Sequence, residues 1–139
     1  MTLRRKSREF ALQMLFEWDM TRKNPGQVEK LFWKSARAAQ QTRAFANQLF
    51  EGSVAQCESN DEFVGRLSEN WRLDRLATVD RNILRLALYE LRSGTAPVKV
   101  VIDEALELAK KFSSAEAPAF LNGILDAAAR SLESAQSAG

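Results

Sequence analysis

Histidine is absent from this chain of 139 residues, and cysteine occurs once, at Cys57. A zinc or iron site would therefore have to be built from carboxylates alone, no internal disulfide can form, and the commonest general base is missing. Also lacking are a glycine-rich phosphate loop and a nucleophile with a recognisable base partner. No apolar run approaches the roughly 18 residues that would span a bilayer, and no charged-then-apolar leader is recognisable. These absences predict a soluble, cytoplasmic, non-enzymatic protein with no metal and no cofactor. The length suits one domain with a core of its own.

Charge of one sign is not in excess either. Twenty Lys and Arg stand against 18 Asp and Glu, a net charge of +2, so a nucleic-acid partner cannot be argued from the total. The distribution is less even: Arg4, Arg5, Lys6 and Arg8 fall among the first eight residues, and the first acid is Glu9.

What is present is helical periodicity. Phe10, Ala11, Met14, Leu15 and Trp18 mark one face of a helix over about Leu3 to Met20, closed by the turn Asn24-Pro25-Gly26. Val28, Leu31, Phe32, Ala36 and Ala39 make a second stripe. Phe45, Ala46, Leu49 and Phe50 make a third, with Thr42 placed to cap it. Ser59-Asn60-Asp61-Glu62 has capping-box form and predicts a fourth helix burying Val64, Leu67 and Trp71. Thr78 is the expected cap of a fifth, Val79 to Leu91, apolar nearly all the way round except for one charged strip. Val98, Val101, Ile102, Ala105, Leu108, Ala109 and Phe112 form a sixth stripe, and Glu107 can pair with Lys110 and Lys111. Pro118 opens a seventh helix that buries Leu121, Ile124, Leu125, Ala128 and Leu132. The expected fold class is all-α, with about seven helices in two packed subbundles, forming one domain over 1–133 and a flexible tail over 134–139.

Three constellations carry candidate chemistry. Cations at a helix start oppose its dipole at a cost of ~0.3–1 kcal/mol each, so Arg4, Arg5, Lys6 and Arg8 suggest phosphate contact, or else a solvated N-terminus. The strip Arg81, Arg85, Tyr89 and Arg92 lies on one face of the fifth helix. It suits RNA, a protein partner or ion pairs to a neighbouring helix. Phe16 and Phe120 lie beside their helices' apolar faces, as a stacking platform or partner anchor would, or simply as core-edge residues. Gly123, inside an otherwise good helix, suggests close helix approach.

Three blocks, RRKSREFALQMLFEWD (4–19), WRLDRLATVDRNILRLALYEL (71–91) and VKVVIDEALELAKKFSSAEAPAFLNGILD (98–126), resemble the NusB family of bacterial transcription antitermination factors. The resemblance covers Arg4 to about Ala129; the stretch from Thr21 to Asn70 is generic. It implies a helical double bundle that binds the boxA element of ribosomal-operon RNA together with NusE, a small-subunit ribosomal protein, within an antitermination complex on RNA polymerase, as monomer or homodimer. By the same resemblance, Arg4, Arg5, Lys6 and Arg8 lie on the RNA side with Phe120, and Glu116 is a nearby acid that tunes affinity. Phe16 and Asp80 are similar to partner contacts, and Arg81 and Arg85 are further candidates there. This chain departs from the family pattern at Ser113, where glycine is usual, at Ala119, where a base is frequent, and at Phe16, where tyrosine is more usual. A helical protein-interaction module without RNA binding is the alternative. A fragment of an RNA methyltransferase is disfavoured because no methyl-donor fold follows.

Overall fold

A computed structural model describes residues 3–67 and 73–138. Among them are seven α-helices and no strand: α1 (Leu3–Thr21), α2 (Pro25–Ser35), α3 (Gln40–Ala55), α4 (Cys57–Leu67), α5 (Thr78–Ser93), α6 (Val98–Phe112) and α7 (Ala117–Ala138), with a single 3-10 turn at Leu73–Arg75 before α5. Trp71, expected to be buried beside α4, lies outside the described residues.

The first three helices run up, down and up. Phe10 of α1 meets Phe32 and Trp33 near the end of α2 in edge-on ring contacts of 5.6 and 5.3 Å. Trp33 in turn donates its indole N–H to Asn47 Oδ1 of α3 at 2.8 Å. Asn24 does more than end α1: its side chain accepts from the Gly26 amide and caps α2, with Pro25 at the first helical position where its missing N–H costs nothing.

Helix α5 is the element both subbundles share. It touches α1 and α3 on one side and α4, α6 and α7 on the other. Ile83, Leu84, Leu86, Ala87 and Leu88 are all buried, which explains the apolar run around the whole helix. Burying each Leu or Ile is worth roughly 1.5–3 kcal/mol, and Leu15, Leu49, Phe50, Leu121 and Leu125 complete the same core. Gly94 stops α5 in the left-handed region at φ 66°, where a side chain would be strained.

Several local expectations give way to tertiary contacts. Thr42 is not a cap: α3 begins two residues earlier, and Thr42 is buried with its carbonyl accepting from Ser7 Oγ at 2.9 Å. Ser59 lies inside α4, which starts at Cys57; its hydroxyl donates back to the Gln56 carbonyl, freeing Asn60 and Asp61 to face α5. Thr78 is the first residue of α5 and the cap is Ala77, without a side-chain bond. Leu31 and Val98, placed on buried stripes, are exposed, and α7 continues helical to Ala138. A Cβ on Gly123 would meet nothing within 4 Å, so close approach does not explain that glycine; the tight contact is at Gly52, against the Tyr89 ring.

Candidate nucleic-acid interface

Because a helix turns about 100° per residue, four bases in five positions at the start of α1 cannot share one face. Arg8 points inward. It is 3% exposed and grips Glu90 of α5 through two 2.9 Å bonds, with Glu104 of α6 at 3.5 Å. Its place on the RNA side is therefore corrected: a guanidinium sealed against a carboxylate has no face left for phosphate. Arg5 is half-exposed and binds Glu104 through Nε at 3.2 Å and Nη2 at 2.7 Å. That bond holds the Glu104 carboxyl below its usual range against the opposing effect of burial, with the charges of Arg5 and Arg8 assisting.

Arg4 and Lys6 are exposed, and among the described residues neither forms an ion pair. Each instead lies over an aromatic ring, Arg4 at 4.4 Å from the Phe45 centroid and Lys6 at 4.8 Å from that of Phe10. A ring beneath a cation orients it without neutralising it. Beside them, a cleft of about 250 Å³ opens between α1 and α6, lined by Arg5, Arg8, Glu9, Glu104, Leu108 and Lys111 among others. Lys111 closes one side of it on Glu9 at 2.9 Å.

Much of the charged strip of α5 is taken up by contacts with neighbouring helices. Arg81 donates twice to Asp19 of α1, at 2.9 and 2.7 Å, and Asn82 donates to the same oxygen at 3.1 Å. Arg85, 3% exposed, binds Asp61 of α4 at 3.0 and 2.7 Å and reaches Asp19 at 3.1 Å. Burial would raise the Asp19 pKa, but the Arg81 bond, the Arg85 charge and the Asn82 bond outweigh it and hold it low. Arg92 donates to Asn60 at 2.6 Å and covers the Phe63 ring at 4.9 Å. Of the open readings of this strip, the geometry shows ion pairs to neighbouring helices, with Arg85 sealed inside the fold and Arg81 still 19% exposed. Sequence reasoning missed the acceptors Asp19, Asp61, Glu90 and Glu104. The available signal was an acid at or beside a buried position of a stripe.

Phe16 is 39% exposed and forms, with Leu12, Gln13, Val79 and Phe112, an apolar notch of about 200 Å³ where α1, the start of α5 and the end of α6 meet. Asp80, next to Val79, accepts a hydrogen bond from Ser113 Oγ just past α6. The hydroxyl at Ser113 thus occupies one oxygen of this carboxylate. Glu116 and Phe120 lie one turn apart at the start of α7, joined by the Phe120 amide to Glu116 carbonyl bond at 3.3 Å; Glu116 is exposed, and Phe120 is 38% exposed. The predicted residues are thus distributed over the α1 start, the Phe16 notch and the α7 start.

The sequence profile of the NusB family matches residues 5–130. The transcription antitermination protein NusB of Koribacter versatilis is 46% identical over 132 residues, covering 94% of this chain and 90% of its own. The structure of NusB from T. maritima superposes with a TM-score of 0.81 at 33% identity, covering 91% of this chain and 90% of that one. A chain in the crystal structure of the antitermination factors NusB and NusE in complex with double-stranded RNA gives a TM-score of 0.85 at 28% identity, covering 94% and 98%. A match of this extent, over the same helices that carry the α1 cations and the Phe16 notch, places the chain in the NusB family.

Proposed function

We propose that this chain is an antitermination factor that binds boxA-type RNA of ribosomal operons jointly with a NusE-like ribosomal protein, in the cytoplasm, and acts by binding and not by catalysis. The observation that carries the reading is the pair Arg4 and Lys6, exposed cations held over rings with no acid to neutralise them. Arg5 contributes its remaining exposed edge, and Phe120 offers a half-exposed ring on which a base can stack. Glu116, exposed one turn before Phe120, repels phosphate and lowers affinity. The protein partner seats on Phe16 and Asp80, the first supplying apolar area and the second a carboxylate oriented by Ser113.

Titrating a boxA RNA and a scrambled RNA of the same length, with and without NusE, tests this reading. Preference for boxA should be largest with NusE, and replacing Arg4 and Lys6 by alanine should weaken binding and reduce the log–log salt slope by roughly 0.7 per phosphate left unneutralised. Equal affinity for the two RNAs in both conditions would sink it. Full NusE binding with no RNA binding at all would leave only a protein-interaction module.

A further inference from the structure

From Lys30 to Phe50 the chain carries Lys30, Lys34, Arg37 and Arg43 and not one acid. The fold gathers most of this segment against the equally acid-free start of α1. Helix α2 runs antiparallel to α1 and α3, so the end of α2, the 36–39 connection and the start of α3 all lie at the end of the bundle where α1 begins. Two contacts fix that juxtaposition: Ser7 Oγ on the Thr42 carbonyl, and Arg4 over Phe45. A third passes through rings, since Lys6 covers Phe10, Phe10 meets Trp33 edge-on, and Arg43 covers Trp33 at 5.1 Å.

Lys34, Arg37 and Arg43 are exposed, and none forms an ion pair among the described residues. This contrasts with α1, α5 and α6, where Arg5, Arg8, Arg81, Arg85 and Lys111 are all matched to acids. Lys23, Lys30, Arg75 and Lys99 also lack an ion pair among the described residues, but this end of the bundle gathers five such cations, Arg4, Lys6, Lys34, Arg37 and Arg43. Lys34 in the last turn of α2 answers the negative end of that helix, but no helix terminus accounts in that way for Arg37 or Arg43. Unpaired, spread cations with no converging acceptor geometry suit a polyanion backbone better than a small ligand.

We propose that this end of the bundle is a sequence-independent track for RNA backbone, in which Lys34, Arg37 and Arg43 hold phosphates of nucleotides flanking the segment seated at Arg4 and Lys6. The proposal rests on the RNA-binding reading above and extends it from the start of α1 across α2 and α3. Phosphate contacts of this kind set register and add affinity without reading bases.

The test compares two RNAs by fluorescence anisotropy over a series of salt concentrations: the boxA element alone, and the same element with single-stranded flanks on both sides. Two variants are used, K34Q/R37Q, at two exposed positions, and R43Q, with melting temperature as the folding control. Each variant should bind the flanked RNA several-fold more weakly, with its salt slope reduced by about 0.7 for each phosphate no longer held, and should bind the short RNA as the unmodified chain does. Unchanged affinity and slope on the flanked RNA would overturn the track while leaving the α1 site intact, provided Arg4→Ala still weakens the short RNA. If Arg4→Ala and Lys6→Ala leave the short RNA unaffected, the underlying RNA reading fails first. Loss of NusE binding without RNA would assign this end to protein instead and overturn the proposal.

Discussion

Gly52 of α3 lies directly against the ring of Tyr89 on α5: a Cβ at that position would collide with three of the ring carbons. The two helices sit as close as they do because position 52 has no side chain. Gly52→Ala should therefore destabilise the fold by about 1–3 kcal/mol, the usual cost of overpacking, read as a lower denaturation midpoint. Gly123→Ala is the matched control. Its added methyl meets nothing, and removing a glycine from a helix interior should stabilise by about 1 kcal/mol. Equal effects at both positions would contradict the helix spacing described.

Removing Glu90 should cost far more than its single charge suggests. Glu90→Ala leaves the Arg8 guanidinium buried without its main acceptor and also strips Thr95 Oγ1 of a 2.7 Å bond. Breaking a buried pair from one side costs about 3–5 kcal/mol, measurable by chemical denaturation. The exposed pair Glu107–Lys110 at 3.3 Å is the comparison, since Glu107→Ala should change stability by less than about 1 kcal/mol.

Glu29 of α2 gives stability a pH dependence of unusual sign. Burial pushes its carboxyl up to about 8, with the adjacent Glu51 carboxyl adding to the shift, and its Oε2 is buried without a partner. Below its ordinary value of 4.5 the group is protonated in folded and unfolded chains alike. As pH rises from 4.5 to about 8 the unfolded chain ionises while the folded one keeps its proton, so stability falls across that window. Asp19 and Glu104 act oppositely: their lowered pKa values give stability that is present at neutral pH and lost on acidification below the ordinary carboxylate range. Glu29→Gln, which keeps a neutral donor beside Glu51, should flatten the melting-temperature profile between pH 4.5 and about 8. An unchanged profile would show that Glu29 ionises normally.

Glu116→Gln should raise affinity for boxA RNA and leave melting temperature unchanged, because the side chain is exposed at the start of α7. Deleting one like charge near a phosphate removes an unfavourable interaction of about 1 kcal/mol or less at ordinary salt. The gain should therefore shrink as salt rises. A gain independent of salt would point to a cause other than charge.

The helices were legible in the sequence because each writes its buried face as a 3.6-residue stripe, and even α5, packed on most sides, announced itself by being apolar nearly all round apart from one charged strip. Caps were less legible. Thr42 and Ser59 look like helix starts, but Thr42 is held by Ser7 and the α4 turn begins at Cys57, so tertiary contacts overrode a local signal. The charged side chains were least legible. Arg8 and Arg4 are both arginines at a helix start, and what separates them is Glu90, 82 residues on in the case of Arg8, against a ring in the case of Arg4. Periodicity places a residue on a face but cannot say which distant helix that face will meet.

That long reach has a consequence for how the chain assembles. The first three helices can gather as soon as they are made, yet Arg8 lacks its carboxylates, and Asp19 has only the exposed Arg22 as a partner, on the side of α1 that awaits α5. Both ionic seams and the apolar core of α1 are completed only by α5, which supplies Glu90 to Arg8 and Arg81 and Arg85 to Asp19. A chain released before Thr78 should remain loosely packed and readily proteolysed, whereas one that includes α5 gains protection throughout α1 in a single step.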